Sequence, residues 1–116
     1  MASPGRVTIS THVLDIALGR PAADLAVSLE RKDDAAWIRV GGGETDGDGR
    51  VRSLIPDDLT APAGTYRIVF DTRAYFGRRG MEAFYPSVTV AFAAGDGHYH
   101  VPLLLSPFGY STYRGS

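Results

Sequence analysis

From Val7 to Asp15 the chain alternates, placing Val7, Ile9, Thr11 and Val13 on one face of an extended segment and Thr8, Ser10, His12 and Leu14 on the other. A period of two predicts a half-buried strand. Gly19 and Pro21 mark a turn, after which Leu25, Val27 and Leu29 alternate with Ala26, Ser28 and Glu30 in a second strand. Trp37, Ile38 and Val40 predict a third. The segment from Gly41 to Gly49 holds five glycines and two aspartates, a composition suited to tight turns, and is expected to be a loop. Its far end delivers Arg50 and a short strand through Leu54, before Pro56 and Pro62 break the pattern.

Tyr66, Ile68 and Phe70 alternate with Arg67 and Val69 in a further strand. Asp71 or Thr72 can then cap a short helix through Phe76, because their side-chain oxygens accept from free backbone amides. Alternation resumes at Val88, Val90 and Phe92, at Tyr99, Val101, Leu103 and Leu105, and from Tyr110 to Arg114. Ala94-Gly95-Asp96-Gly97 and Ser106-Pro107-Phe108-Gly109 supply the turns between these runs. Seven or eight short strands and one helix predict an all-β sandwich or barrel. No repeat or low-complexity segment divides the chain, so one domain over residues 1–116 is expected.

With 44% hydrophobic and 22% charged residues the chain falls among ordinary globular domains, and its 116 residues bury only about two-thirds of the unfolded surface, which favours oligomerisation. The net charge of -1 and basic residues scattered from Arg6 to Arg114 offer no footprint for nucleic acid. The absence of cysteine excludes disulfides, thiolate metal sites and cysteine nucleophiles. The N-terminal residues lack the apolar run of a signal peptide and no window reaches membrane-spanning length, so a cytoplasmic location is expected.

Histidine titrates near physiological pH, and the chain has three: His12, His98 and His100. His98 and His100 share a strand face with Pro102 and Leu104, opposite the apolar Tyr99, Val101, Leu103 and Leu105. His12 likewise lies with Thr8 and Ser10, away from the core face. Periodicity leaves these as solvated surface groups or members of a site. His-x-His with His12 as a third ligand permits a metal reading, but no carboxylate is spaced to complete the set. Asp46-Gly-Asp48-Gly resembles part of a calcium loop, yet Arg50 and Arg52 occupy later ligand positions, so a solvated turn is expected. No Gly-x-Ser-x-Gly turn supports a serine nucleophile. At the end of the chain, alternation sets Ser111, Tyr113 and Gly115 against Tyr110, Thr112 and Arg114, giving either a hydroxyl-rich face for a ligand or a plain edge strand.

Taken together, Ser10-Thr-His-Val-Leu-Asp15, Gly19-Arg-Pro-Ala22, Thr45 through Gly49-Arg50, Phe70-Asp-Thr72 with Tyr75-Phe76, Phe84-Tyr-Pro86 and the run from His98 to Ser116 resemble the transthyretin-like 5-hydroxyisourate hydrolases over nearly the whole chain. The resemblance implies a transthyretin-like sandwich of two four-stranded antiparallel sheets with one short helix, assembled as a homotetrameric dimer of dimers with active sites along the channel between dimers. It implies His12, Arg50 and His100 as the catalytic polar triad, with His12 and Arg50 also contacting substrate, joined by Ser111, Tyr113 and Ser116, and with His98 in support. Neither metal nor cofactor is implied, and the partner is a small molecule rather than nucleic acid or membrane. Transthyretin, the carrier of the same fold, differs at the triad positions and lacks the terminal Tyr113-Arg-Gly-Ser116, which disfavours a carrier. A structural domain without activity would leave the polar set unexplained.

Overall fold

The computed structural model of the protein describes residues 6–116; the N-terminal residues read above for a leader lie, apart from Arg6, outside them. The strands are β1 (Val7–Asp15), β2 (Arg20–Pro21), β3 (Ala26–Asp33), β4 (Ala36–Glu44), β5 (Arg50–Val51), β6 (Gly64–Phe70), β7 (Val88–Ala94), β8 (Gly97–Ser106) and β9 (Gly109–Thr112). One sheet runs β2-β1-β8-β9, with β5 also on β1, and the other runs β4-β3-β6-β7. Period-two alternation is visible in the burial: Val7, Ile9 and Val13 of β1, Val101, Leu103 and Leu105 of β8, and Tyr66, Ile68 and Phe70 of β6 all turn into the interior. These inner faces stack as the core of the expected sandwich.

Within the expected fold, one pair departs from antiparallel pairing. β1 and β8 run parallel over nine matched positions, from Val7 beside Gly97 to Asp15 beside Leu105. Parallel neighbours need a crossover connection, and here the whole second sheet and the helix supply it.

The expected loop from Gly41 to Gly49 is a loop only in its second half, since β4 continues to Glu44. Gly41 and Gly42 meet close backbone rather than a turn. A Cβ at Gly41 would lie 1.8 Å from the Leu54 carbonyl oxygen, and one at Gly42 would lie 2.5 Å from that of Val27. The strand expected from Arg50 through Leu54 stops at Val51; Leu54 is buried outside regular structure, its amide donating to the Ile9 carbonyl.

The helix α1 (Thr72–Gly77) forms as expected, with Asp71 at its N-cap accepting from the Ala74 amide. It buries Tyr75 and Phe76. The Tyr75 hydroxyl donates to the fully buried Asp15 carboxylate at 2.8 Å, and the Ala17 and Leu18 amides donate to the same group. Burial, followed by the bond to Asp15, pushes the Tyr75 phenol up to about 12, so it remains a donor. The Arg79 guanidinium lies 3.8 Å from the centre of its ring.

Gly41→Ala is expected to cost more than about 2 kcal/mol, while Gly64→Ala, with open space at its Cβ, stays within about 0.5 kcal/mol. Urea unfolding of both variants measures the difference; equal stabilities would show that the Leu54 backbone yields freely.

Candidate active site

The parallel register of β1 and β8 sets Thr8 beside His98, Ser10 beside His100 and His12 beside Pro102. Paired residues point to the same side of a sheet, so polar positions from two strands distant in sequence become one continuous outer face. On the other side of β1, Arg50 of β5 lies opposite His12.

Arg50 reaches that position through a tightly bonded turn. Buried Thr45 accepts from the Leu25 amide and donates to the Ala22 carbonyl, fixing the start of the turn. Asp46 Oδ1 then accepts from the amides of Asp48 and Arg50, and the latter bond is the main reason that its carboxyl lies below the usual range. Gly49 has φ of 76°, and a Cβ there would lie 2.3 Å from the Val13 carbonyl oxygen. Only glycine lets the turn press this closely on β1.

His12 donates from Nε2 to the Asp48 carbonyl at 2.9 Å, because a carbonyl only accepts. Its lone pair in the neutral form is therefore on Nδ1. Ser10 Oγ lies 2.8 Å from His100 Nδ1 and 3.0 Å from His98 Nε2. Burial, then the charges of Arg50, His12 and His98, lower the His100 pKa from the ordinary 6.5. His100 is thus a neutral imidazole at pH 7 with Nε2 facing no protein partner among the described residues.

The terminal segment closes one end of this face. The Gly115 amide donates to the His100 carbonyl at 2.8 Å, while the Arg114 guanidinium stacks 4.4 Å over Tyr99 on the other side of β8. A Cβ at Gly115 would lie 2.5 Å from His100 Cδ2, so glycine is required for the segment to lie along the imidazole.

Together these elements enclose a cleft of about 470 Å3 lined by Ser10, Thr11, Arg50, Val51, Arg52, His98, His100 and Ser116. Two arginines face it and, among the described residues, no carboxylate side chain lines it, a balance that favours an anion. Among the described residues no group of three or more His, Cys, Asp or Glu side chains is placed to hold a metal ion. The ring nitrogens of His98 face hydroxyls of Thr8 and Ser10 instead.

Of the residues expected from sequence, Arg50, His100 and Ser116 line the cleft, and His12 adjoins it closely enough for its charge to act on His100. Ser111 pairs with Leu104, four residues along β8 from His100 and so about 13 Å away at the ordinary strand rise. Tyr113 lines a separate, more apolar cleft of about 250 Å3 with Val90, Phe92, Tyr99 and Arg114. β9 ends at Thr112, and beyond it strict alternation no longer assigns faces. Ser10, Arg52 and Gly115 belong to the cleft and its wall without having been singled out. Ser10 shares the face of His12, which was the available signal; Arg52 and Gly115 depend on tertiary contacts.

Gly115→Ala is expected to displace the His100 ring while global stability falls by less than about 1 kcal/mol. Imidazole resonances of 15N-labelled histidine measure this, and an unmoved His100 would show that the terminal segment swings away instead.

A family model described as the HIUase/Transthyretin family matches residues 9–115. The chain is 46% identical over 114 residues to the 5-hydroxyisourate hydrolase of Salmonella typhimurium, covering 97% of this chain and 83% of that protein. Among solved structures it is similar to the 5-hydroxyisourate hydrolase of Klebsiella pneumoniae, with a TM-score of 0.83 at 38% identity, covering 94% of this chain and 99% of that one. It is also similar to sea bream transthyretin in complex with thyroxine, with a TM-score of 0.85 at 37% identity over 92% of this chain and 93% of that one. With one family model spanning nearly all of its length and a relative of this identity, the chain belongs to the HIUase/Transthyretin family.

Proposed function

We propose that this chain hydrolyses 5-hydroxyisourate, opening its six-membered ring to give 2-oxo-4-hydroxy-4-carboxy-5-ureidoimidazoline, as the names of its hydrolase relatives suggest. The observation that carries the reading is His100: a neutral imidazole whose Nδ1 is engaged by Ser10 and whose Nε2 is free, in a cleft lined by Arg50 and Arg52. Water attacks a ring carbonyl while His100 Nε2 takes its proton, and the ring C–N bond then breaks with a proton returned to the leaving nitrogen. Arg50, always protonated, holds the urate-like anion and helps keep His100 neutral. His12, which adjoins the cleft without lining it, is assigned to holding substrate at its edge rather than to the base. Ser116 binds substrate at the end of the cleft.

Assembly as a homotetramer belongs to the same proposal. Phe84, Phe108, Ile16 and Tyr113 are all more than half exposed, which is a large apolar surface for one small chain. The roles of Ser111 and Tyr113 in binding substrate rest on that assembly, since both lie off the cleft of a single chain. No helix among the described residues is long and apolar enough to cross a membrane; a single domain and a cytoplasmic location remain part of the reading.

A second reading, a carrier of thyroxine-like ligands, is favoured by the likeness to sea bream transthyretin. Arginine and histidine around the larger cleft disfavour it, because buried charge without a matching partner costs affinity for an apolar ligand.

His100→Ala is expected to lower kcat/KM for freshly generated 5-hydroxyisourate by about 100- to 10,000-fold, with His12→Ala acting chiefly on KM. Ultraviolet absorbance follows the reaction, and tight thyroxine binding without hydrolysis by the unaltered protein would favour the carrier. The base form of His100 exists above its folded pKa and is lost as pH falls through it, so the acid limb of kcat/KM lies below 6.5. Arg50→Met removes a like charge and is expected to move that limb to higher pH while reducing the rate; a limb that stays put would assign the titration to another group.

A further inference from the structure

Around His100 runs a chain of hydrogen bonds that one base by itself does not use. Thr8 Oγ1 lies 2.7 Å from His98 Nδ1, His98 Nε2 lies 3.0 Å from Ser10 Oγ, and Ser10 Oγ lies 2.8 Å from His100 Nδ1. Ser10 is only 9% exposed, whereas His98 is open to solvent, so the chain runs from a buried hydroxyl to a solvent-open imidazole in the wall of the same cleft. A hydroxyl has one proton, and Ser10 can donate to only one of the two rings.

With both rings neutral, two arrangements satisfy every member. In the first, Ser10 donates to His98 Nε2 and accepts from His100 Nδ1; His98 donates from Nδ1 to Thr8, and His100 Nε2 presents a lone pair to the cleft. In the second, each bond reverses, both rings carry the proton on Nε2, and His100 presents an N–H. As long as the Ser10 hydroxyl donates within the array, the two histidines hold the same tautomer.

Resting on the hydrolase reading above, we propose that Ser10 is a positioning residue that joins His98 and His100 into one two-state proton switch, with His100 the base in the first state and the acid in the second. As water attacks, its proton goes to His100 Nε2, the Nδ1 proton of His100 goes to Ser10, the Ser10 proton goes to His98 Nε2, and the Nδ1 proton of His98 leaves past Thr8 to solvent. The array is then in its second state. When the ring C–N bond breaks, His100 Nε2 protonates the leaving nitrogen, Ser10 returns a proton to His100 Nδ1, His98 Nε2 restores that of Ser10, and solvent reprotonates His98 Nδ1. One proton leaves and one returns in each cycle. The charged and titratable groups facing His100 are Arg50 and Arg52 from the β5 segment, His12 from β1 and His98 on its own strand. Arg50, His12 and His98 all oppose a cation at His100, and releasing a proton to solvent through the array avoids one.

Two measurements test the switch. In protein labelled with 15N-histidine and free of substrate, His98 and His100 are expected to report the same tautomer, and Ser10→Ala to remove the correlation. Opposite tautomers in the unaltered protein would overturn the switch whatever the substrate. With 5-hydroxyisourate, Ser10→Ala and His98→Gln are each expected to lower kcat by at least about ten-fold with KM nearly unchanged, and Ser10→Thr, which keeps the hydroxyl, to recover most of the rate. Full kcat in folded Ser10→Ala and His98→Gln proteins would also overturn it. If the tautomers match but the unaltered protein leaves 5-hydroxyisourate intact, the hydrolase reading falls and the coupled pair stands.

Discussion

The parallel pairing of β1 with β8 is the constraint on which both the core and the cleft depend. Its inner face packs Val7, Ile9 and Val13 with Val101, Leu103 and Leu105, each fully or nearly fully buried. Burying such side chains contributes about 1.5 to 3 kcal/mol apiece, whereas a hydrogen bond of the outer face contributes about 0.5 to 1.5. Packing therefore decides the register. A slip of one residue would turn the core face outward, and a slip of two would carry Ser10 about 6.6 Å from His100. The polar chemistry inherits its alignment from hydrophobic residues that never touch the cleft.

Buried polar groups elsewhere are spent on holding this frame. Asp15 ends β1 with three donors and joins it to the helix through Tyr75, and Thr45 secures the turn that carries Arg50. No buried side-chain nitrogen or oxygen among the described residues lacks a partner. The frame uses acids as acceptors, and the cleft gathers bases. The two meet at Asp46, whose carboxylate binds the amides of the turn and feels the charges of Arg52 and Arg50.

Most strands were legible because one face of each meets the core, so alternation carried the information at Val7–Asp15, Tyr66–Phe70 and Tyr99–Leu105. The helix was legible from the capping chemistry of Asp71. Gly41 and Gly42 misled, since composition does not distinguish a glycine needed for a turn from one needed because another backbone passes close by. For the cleft, periodicity placed His12 and His100 off the core but could not set their strands side by side; the family motifs did that. The parts played by Ser10 and Gly115 did not follow from the strand faces on which alternation placed them, because they lie in contacts across about 90 and 15 residues of chain.

The long reach of the β1 to β8 pairing also bears on how the molecule comes into being. Val7 waits for Gly97, so a ribosome has added about 90 further residues before this first strand can find its parallel neighbour. Contacts of such high order close slowly, and the unpaired edge of β1 is exposed to association with other chains in the meantime. The His98 to Ser116 segment, which emerges after the second sheet and the helix, is the one that covers that edge. A chain interrupted before it would lack the histidine pair and the partner strand at once, so loss of the cleft and exposure of an aggregation-prone edge come together.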